Sequence, residues 1–362
     1  MSEKKRNESL GANAVKSDSR LTNSDRDLIA LLRCEIENRG PISFARFMEL
    51  ALYHPQHGYY ASGRARIGRC GDFFTNVSIG PIFGTLLAAE FVEIWEKLER
   101  PDQFTLVEQG AHDGQLAADV LKALRGSECF EALRYIMVEP FPAWRERQQE
   151  KLIGFSQNIS WCGSIEELNP FAGVHFSNEL FDALPIHLLS DTGEECLVTL
   201  NGGEFRIQPA PVREKKLAAA KLMHAIATKL KRGVILTIDY GFTREQFFPH
   251  HTVQVRARHR KLDSPFDQIG RADISAHIDW TSLIEAAESA GARLIGLTDQ
   301  HHFLTGILRD LLHATEVQKL SPADKRGLQT LLHPEMMGRN FQALALAQDF
   351  AAPLSGFRFS RL

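Results

Sequence analysis

Glu108 closes the apolar run Phe104-Thr105-Leu106-Val107-Glu108 and is followed by Gln109-Gly110-Ala111-His112-Asp113-Gly114, an E-x-G-x-x-x-G pattern that passes directly into a helical pattern. Glycines there let the backbone approach a ligand at the carboxyl end of a parallel strand, the place where doubly wound folds bind nucleotides. Three further runs end in the same way. Tyr135-Ile136-Met137-Val138 brings Glu139, 31 residues after Glu108, to a strand end where a carboxylate accepts both hydroxyls of a ribose, or simply faces solvent. The run from Gly173 to Glu179 continues through Asn178-Glu179-Leu180-Phe181-Asp182-Ala183-Leu184-Pro185, an amide and two carboxylates that either clamp a guanidinium by charge-assisted bonds or cap the next turn. A fifth core strand delivers Asp239-Tyr240-Gly241 to the same edge. Four strand ends bearing acids or amides at one sheet edge point to a nucleoside-binding enzyme.

The sign of that charge separates cofactor classes. A carboxylate beside the loop suits a cationic amino-acid cofactor such as S-adenosylmethionine and repels a pyrophosphate. An NAD(P) oxidoreductase needs a phosphate loop free of carboxylates at a helix N-terminus, which Glu108 and Asp113 deny. No metal is expected. The pairs His250-His251 and His301-His302 lack acidic partners at ligand spacing, and the five cysteines, at 34, 70, 129, 162 and 196, are never closer than 33 residues.

The elements that must carry these residues follow from periodicity. Residues 1–23 are rich in Ser, Asn, Lys and Glu with almost nothing to bury, so a disordered tail is expected, dispensable for folding. Ser24 is placed to cap a first helix bearing Leu28, Leu32 and Ile36, and Ser43 a second bearing Phe44, Phe47 and Met48. A third helix begins at Pro81. From Phe104 onward strands alternate with helices, which means a parallel sheet with crossover helices. Between the fourth and fifth core strands, Ile186–Ser190 and Glu195–Ile207 read as a hairpin insertion turning at Asn201-Gly202-Gly203, and residues 242–275 read as a long irregular segment. The expected division is a tail at 1–23, a helical cap at 24–102, a core at 103–350 with insertions near 186–215 and 242–275, and a C-terminal tail at 351–362.

The chain has 362 residues, 42 Lys plus Arg against 45 Asp plus Glu, and a net charge of -3, with no concentration of basic residues able to track a phosphate backbone, so no nucleic-acid partner is expected. No run approaches the roughly 18 apolar residues of a membrane helix. The first residues form no apolar core of a signal peptide and include Glu3, Glu8 and Asp18, so a cytoplasmic location is expected.

These residues, together with Pro41-Ile42-Ser43-Phe44, Tyr53-His54-Pro55, His57-Gly58-Tyr59-Tyr60, Gly71-Asp72-Phe73-Phe74-Thr75 and Asp273-Ile274-Ser275-Ala276-His277-Ile278-Asp279-Trp280, resemble the MidA-like family of class I S-adenosylmethionine-dependent methyltransferases, over about residues 40 to 300. Mitochondrial members of that family assist complex I assembly by methylating a protein arginine. The resemblance implies an α/β fold with a Rossmann-like class I core, an N-terminal helical cap and inserted segments over the substrate side. It implies S-adenosylmethionine as cofactor, held by Glu108, Gly110, Gly114 and Glu139, with Asp72 and Thr75 in a loop closing over the site. It implies a protein partner, such as a complex I-type subunit, whose arginine would be clamped by Glu179 and Asp182 while Asn178, Asp239 and Tyr240 complete the catalytic wall. The family loop resembles E-L-G-P-G-x-G, so Gln109, Ala111, His112 and Asp113 depart from it. That departure motivates an alternative, a non-catalytic assembly or binding protein that keeps the fold.

Overall fold

The computed structural model describes residues 24–68, 71–72, 74–246, 252–313 and 320–360. The expected tail at 1–23, Cys70, Phe73 and His250-His251 lie outside them.

Seven strands make the central sheet: β1 (Phe104–Gln109), β2 (Leu133–Val138), β3 (Ile159–Cys162), β4 (Phe171–Asn178), β5 (Leu230–Asp239), β6 (Arg293–Asp299) and β7 (Gln342–Gln348). Their order is β3-β2-β1-β4-β5-β7-β6. β1 to β5 are parallel, and β7 runs antiparallel to both neighbours. The chain leaves β1 toward β2 on one side and returns as β4 on the other, so a crevice opens at the carboxyl ends of β1 and β4.

Alternation along each strand sorts side chains between two apolar layers. Leu106, Val174 and Leu236 face a cluster with Phe83, Phe91 and Leu121, supplied by α3 (Ile82–Lys97) and α4 (Gln115–Leu124). Val107, Ile235 and Leu344 face Met223, Ile226 and Leu283, from α6 (Leu217–Lys229) and α7 (Trp280–Glu288), whereas α5 (Pro142–Lys151) follows β2 at the sheet's other end. Helix α3 therefore packs on the sheet, although it falls within the segment expected as cap.

A second core forms beside the sheet. It joins Leu28 and Leu32 of α1 (Arg26–Arg39), Phe44 and Phe47 of α2 (Phe44–Tyr53), Val198 and Phe205, and Val255 and Ile274. Ile42-Ser43 pairs with Leu197-Val198, so the first insertion is built into the cap. The hairpin itself is Leu197–Asn201 with Glu204–Gln208, and Gly202 and Gly203 both take positive φ, as its two-residue turn requires. His187–Leu189 pairs instead with Arg213–Lys215. The segment read as irregular holds a three-stranded sheet of Gln254–Ala257, Arg260–Leu262 and Asp273–Ser275.

Two terminal features also differ from expectation. Asp25, not Ser24, caps α1 by accepting the Leu28 N–H at 3.2 Å, while Ser24 Oγ accepts the Ile269 N–H. The segment expected as a C-terminal tail buries Leu354 and Phe357 in the core, the latter against Phe303 of α8 (Gln300–His313). No helix of the described residues is long and apolar enough to cross a membrane.

Candidate functional site

A cavity of about 1190 Å³ opens at the carboxyl ends of β1, β2, β4 and β5, roofed by the loop after α2 and by the inserted strands between 252 and 277. Glu108, Gly110, Glu139, Asn178, Glu179, Asp182, Tyr240, Asp72 and Thr75 all line it, so segments far apart in sequence meet as expected. Gly114 and Asp239 are not part of the lining.

One end of the cavity is the β1 loop. Gly110, His112 and Gly114 have φ of 82°, 49° and 80°, and this series of left-handed residues folds the chain back into α4. A Cβ on Gly110 would sit 3.1 Å from the Leu180 side chain, which explains the glycine on the cavity side. Gly114 is the residue before α4, and its close neighbours are Gln148 and Leu152, so its task is packing and turn geometry. The His112 ring, at the position that departs from the family loop, lies 4.2 Å from Trp144 and its Nε2 is 3.3 Å from the Ala65 carbonyl, which ties the loop to the cap.

Glu108 accepts the Tyr135 hydroxyl at 2.6 Å, and burial pushes its carboxyl up to about 7. Glu139 accepts the Phe141 N–H and the Gln148 amide, both at 3.0 Å, and burial raises it likewise to about 7. Burial also acts to raise Asp113, but hydrogen bonds from His112 and Lys151 prevail and hold it well below the carboxylate range.

A second part of the lining is an acid cluster. Glu179 takes a φ of 52° and its Oε1 accepts the Asn178 amide at 2.9 Å and the Asn76 N–H at 3.4 Å, while the Asn76 amide donates to Asn178 Oδ1 at 3.1 Å. Burial and the neighbouring Asp182 push Glu179 well above the carboxylate range, and burial with Asp239 and Asp273 does the same to Asp182. Asp273 accepts the Tyr60 hydroxyl at 2.7 Å and burial brings it to about 6. An opposite charge favours the ionised form that burial disfavours, and here Lys216 toward Asp182 and Arg256 toward Asp273 only partly offset the burial.

Asp239 does something other than the catalytic role expected of it. Its Oδ2 accepts the N–H groups of Phe181 and Asp182 at 3.0 and 3.3 Å, and Oδ1 accepts that of Tyr240 at 2.7 Å. It is fully buried and staples the turn that presents Asp182. Asp72, expected at the cofactor, has both oxygens engaged too, by the Tyr59 hydroxyl at 2.7 Å and the Arg258 N–H at 2.8 Å, so it pins the inserted hairpin to the cap loop.

Asn76, Tyr60 and Asp273 were not foreseen as site residues. Asp273 stood in a recognised segment, but only the fold reveals that it points to the acid cluster. His302 does meet a carboxylate, Asp299, at 2.7 Å, which corrects the reading of that histidine pair, while His301 bonds the Leu332 carbonyl. Among the described residues, Asp25, Asp27 and His57 bring three candidate ligand atoms within 4.8 Å of one another, yet Asp25 is already bonded to Arg64 and to the first turn of α1.

A family model described as "Putative S-adenosyl-L-methionine-dependent methyltransferase" matches residues 86–218 and 204–298. The protein arginine methyltransferase NDUFAF7 homolog, mitochondrial, of Drosophila melanogaster is 28% identical over 91% of this chain and 87% of its own length. The human protein arginine methyltransferase NDUFAF7, mitochondrial, is 26% identical over 91% and 85%. A Burkholderia thailandensis protein described as a "likely methyl transferase", crystallised bound to S-adenosyl-homocysteine, superposes with a TM-score of 0.83 at 28% identity, covering 92% of this chain and 95% of that one. The relatives' mitochondrial names overturn the cytoplasmic location expected from the sequence.

Proposed function

This chain belongs to the family of S-adenosyl-L-methionine-dependent methyltransferases, and from that premise we propose that it methylates an arginine side chain of a protein partner. The observation that carries the reading is the cavity's division between a glycine loop flanked by Glu108 and Glu139 and a buried acid cluster at Glu179 and Asp182.

The first end suits the cofactor. Gly110, pressed against Leu180, holds the loop backbone at the cavity wall, and two strand-end carboxyls match the cofactor's cationic amino-acid group and its ribose hydroxyls. When bound, S-adenosylmethionine supplies an electrophilic methyl group on a sulfonium. Such a displacement needs alignment above all, and positioning is worth about 7–11 kcal/mol.

Glu179 and Asp182 perform that alignment for the acceptor. A planar guanidinium is best held by a carboxylate fork, and Glu179 Oε1 is already fixed by Asn76 and Asn178. As the guanidinium nitrogen gains a methyl group it loses a proton, which the Glu179 or Asp182 carboxylate takes up. Tyr240 forms part of the wall beside them. Names of the relatives support arginine as the acceptor and disfavour the non-catalytic alternative. The partner we propose is a subunit of a complex I-type respiratory enzyme.

Two measurements test the two ends. Changing Glu108 or Glu139 to Ala should weaken S-adenosylmethionine by about 1.5–3 kcal/mol, the range for hydrogen bonds to charged groups. Calorimetry giving equal affinity for wild type and both variants would remove these residues from the cofactor site.

The second concerns protons. In the free site Glu179 and Asp182 are held protonated toward neutral pH, with Lys216 only partly opposing this at Asp182. A guanidinium stays charged, so its binding ionises these carboxyls and releases protons. Affinity for an arginine-bearing peptide should therefore rise with pH through neutrality and level off above the free-site values. Calorimetry in buffers of different ionisation heat should show proton release, and proton uptake or a flat pH profile would contradict the clamp.

A further inference from the structure

On the far side of Asp72 lies a second cavity, of about 680 Å³, and its character is the opposite of the first. Arg64, Arg66, Arg258, Arg271 and His259 line it, together with Tyr59 and Asp72. Asp72 is its single lining acid, and the bonds from Tyr59 and the Arg258 N–H occupy both carboxylate oxygens. Arg64 is paired with Asp25 at 2.6 Å. Among the described residues, no carboxylate pairs with Arg66, Arg258 or Arg271, and all three are exposed.

The shelf is also built, not incidental. The turn Arg258-His259 has φ of 50° and 59°, and it is pinned to the cap loop by the Asp72 carboxylate and by the Asp72 carbonyl, which accepts the His259 N–H at 2.8 Å. The His259 ring lies 4.7 Å from that of Phe74. Asp72 and His259 line both cavities, so the acid cluster and the basic shelf share a wall.

We propose that the basic shelf of Arg66, Arg258 and Arg271 docks an acidic segment of the protein partner adjoining the arginine that enters the main cavity. This rests on the arginine reading above and adds a sequence context to it. A substrate whose arginine is followed or preceded by Asp and Glu meets the matching charge at each step. An arginine-rich, basic segment satisfies the inner cluster and is repelled by the shelf, so the arrangement selects against such substrates. Because Asp72 and His259 line both cavities, an extended segment at about 3.3–3.6 Å per residue should reach the shelf within a few positions of the methylated arginine.

The test uses the full-length chain with S-adenosyl-homocysteine and three blocked fluorescent peptides: one arginine flanked by glutamates, the same arginine flanked by alanines, and glutamate flanks around glutamine. At low salt the glutamate-arginine peptide should bind at least about tenfold more tightly than the alanine-arginine peptide, and the preference should shrink as salt screens it. The double variant Arg66→Glu with Arg271→Glu should lose the preference while keeping its affinity for S-adenosyl-homocysteine and its melting temperature. Arg66→Lys with Arg271→Lys should retain most of it. Equal binding of the two arginine peptides, or a preference unchanged in the charge-reversed variant, overturns the proposal. A single-stranded oligonucleotide that outcompetes the glutamate peptide at the shelf overturns it as well. The glutamate-glutamine peptide separates the two readings: if it binds as tightly as its arginine counterpart, the shelf stands and the arginine clamp fails.

Discussion

Replacing Glu179 with Gln, or Asp182 with Asn, should lower methyl transfer by about 10²–10³-fold, the usual consequence of removing one preorganised electrostatic partner of a transition state. Both substitutions keep size and remove charge, and neither residue hydrogen-bonds Glu108 or Glu139. Affinity for S-adenosylmethionine should therefore stay close to wild type. A mass-spectrometric assay for methylarginine in the partner, paired with cofactor calorimetry, checks both halves. Undiminished methylation would return these residues to a turn-capping role, and joint loss of the cofactor would move them to the wrong end of the cavity.

Asp239→Ala should instead be a stability variant. Three main-chain N–H groups converge on that carboxylate, and the residue is fully buried. Removing it leaves buried donors unpaired, which costs about 1–3 kcal/mol for each group that finds no water. A total loss of roughly 3–5 kcal/mol is expected, comparable to breaking a buried ionic partnership. Thermal unfolding should show a drop of several degrees, with turnover lost because the Asp182 turn loses its anchor. A variant that melts like wild type and loses only turnover would restore Asp239 to direct contact with the substrate.

These two predictions mark where the sequence was informative and where it was not. The strand ends were legible because a buried parallel strand is a continuous apolar run, and an acid that ends such a run stands out. Glu108, Glu139 and Glu179 were found in this way. Asp239 ends its strand by the same rule, but type and position do not tell a carboxylate that faces a cavity from one that turns inward to accept backbone N–H groups. Asn76 gave no signal, since it sits in a short turn of one 3₁₀-helix and acts only through Asn178 and Glu179. The second core was illegible for a related reason. Its strands are short, two to five residues, and the first insertion's pairing partner, Ile42-Ser43, lies more than 150 residues away. Local periodicity carries no record of such distant pairing.

The place of β7 has a consequence for how the chain must be assembled. The last strand of the sheet in sequence lies between β5 and β6, so β6 has no neighbour in the sheet until residues 342–348 arrive. The cap core is similarly delayed, because it needs Ile274 to close over Leu28 and Phe44. Both are contacts of very long sequence separation, the kind whose loop-closure entropy slows folding. Until residues 342–348 arrive, the parallel sheet of β1 to β5 ends in an open edge at β5. Closure of the sheet waits for its last strand, so the cavity at the sheet edge rests on pairing that residues 342–348 complete.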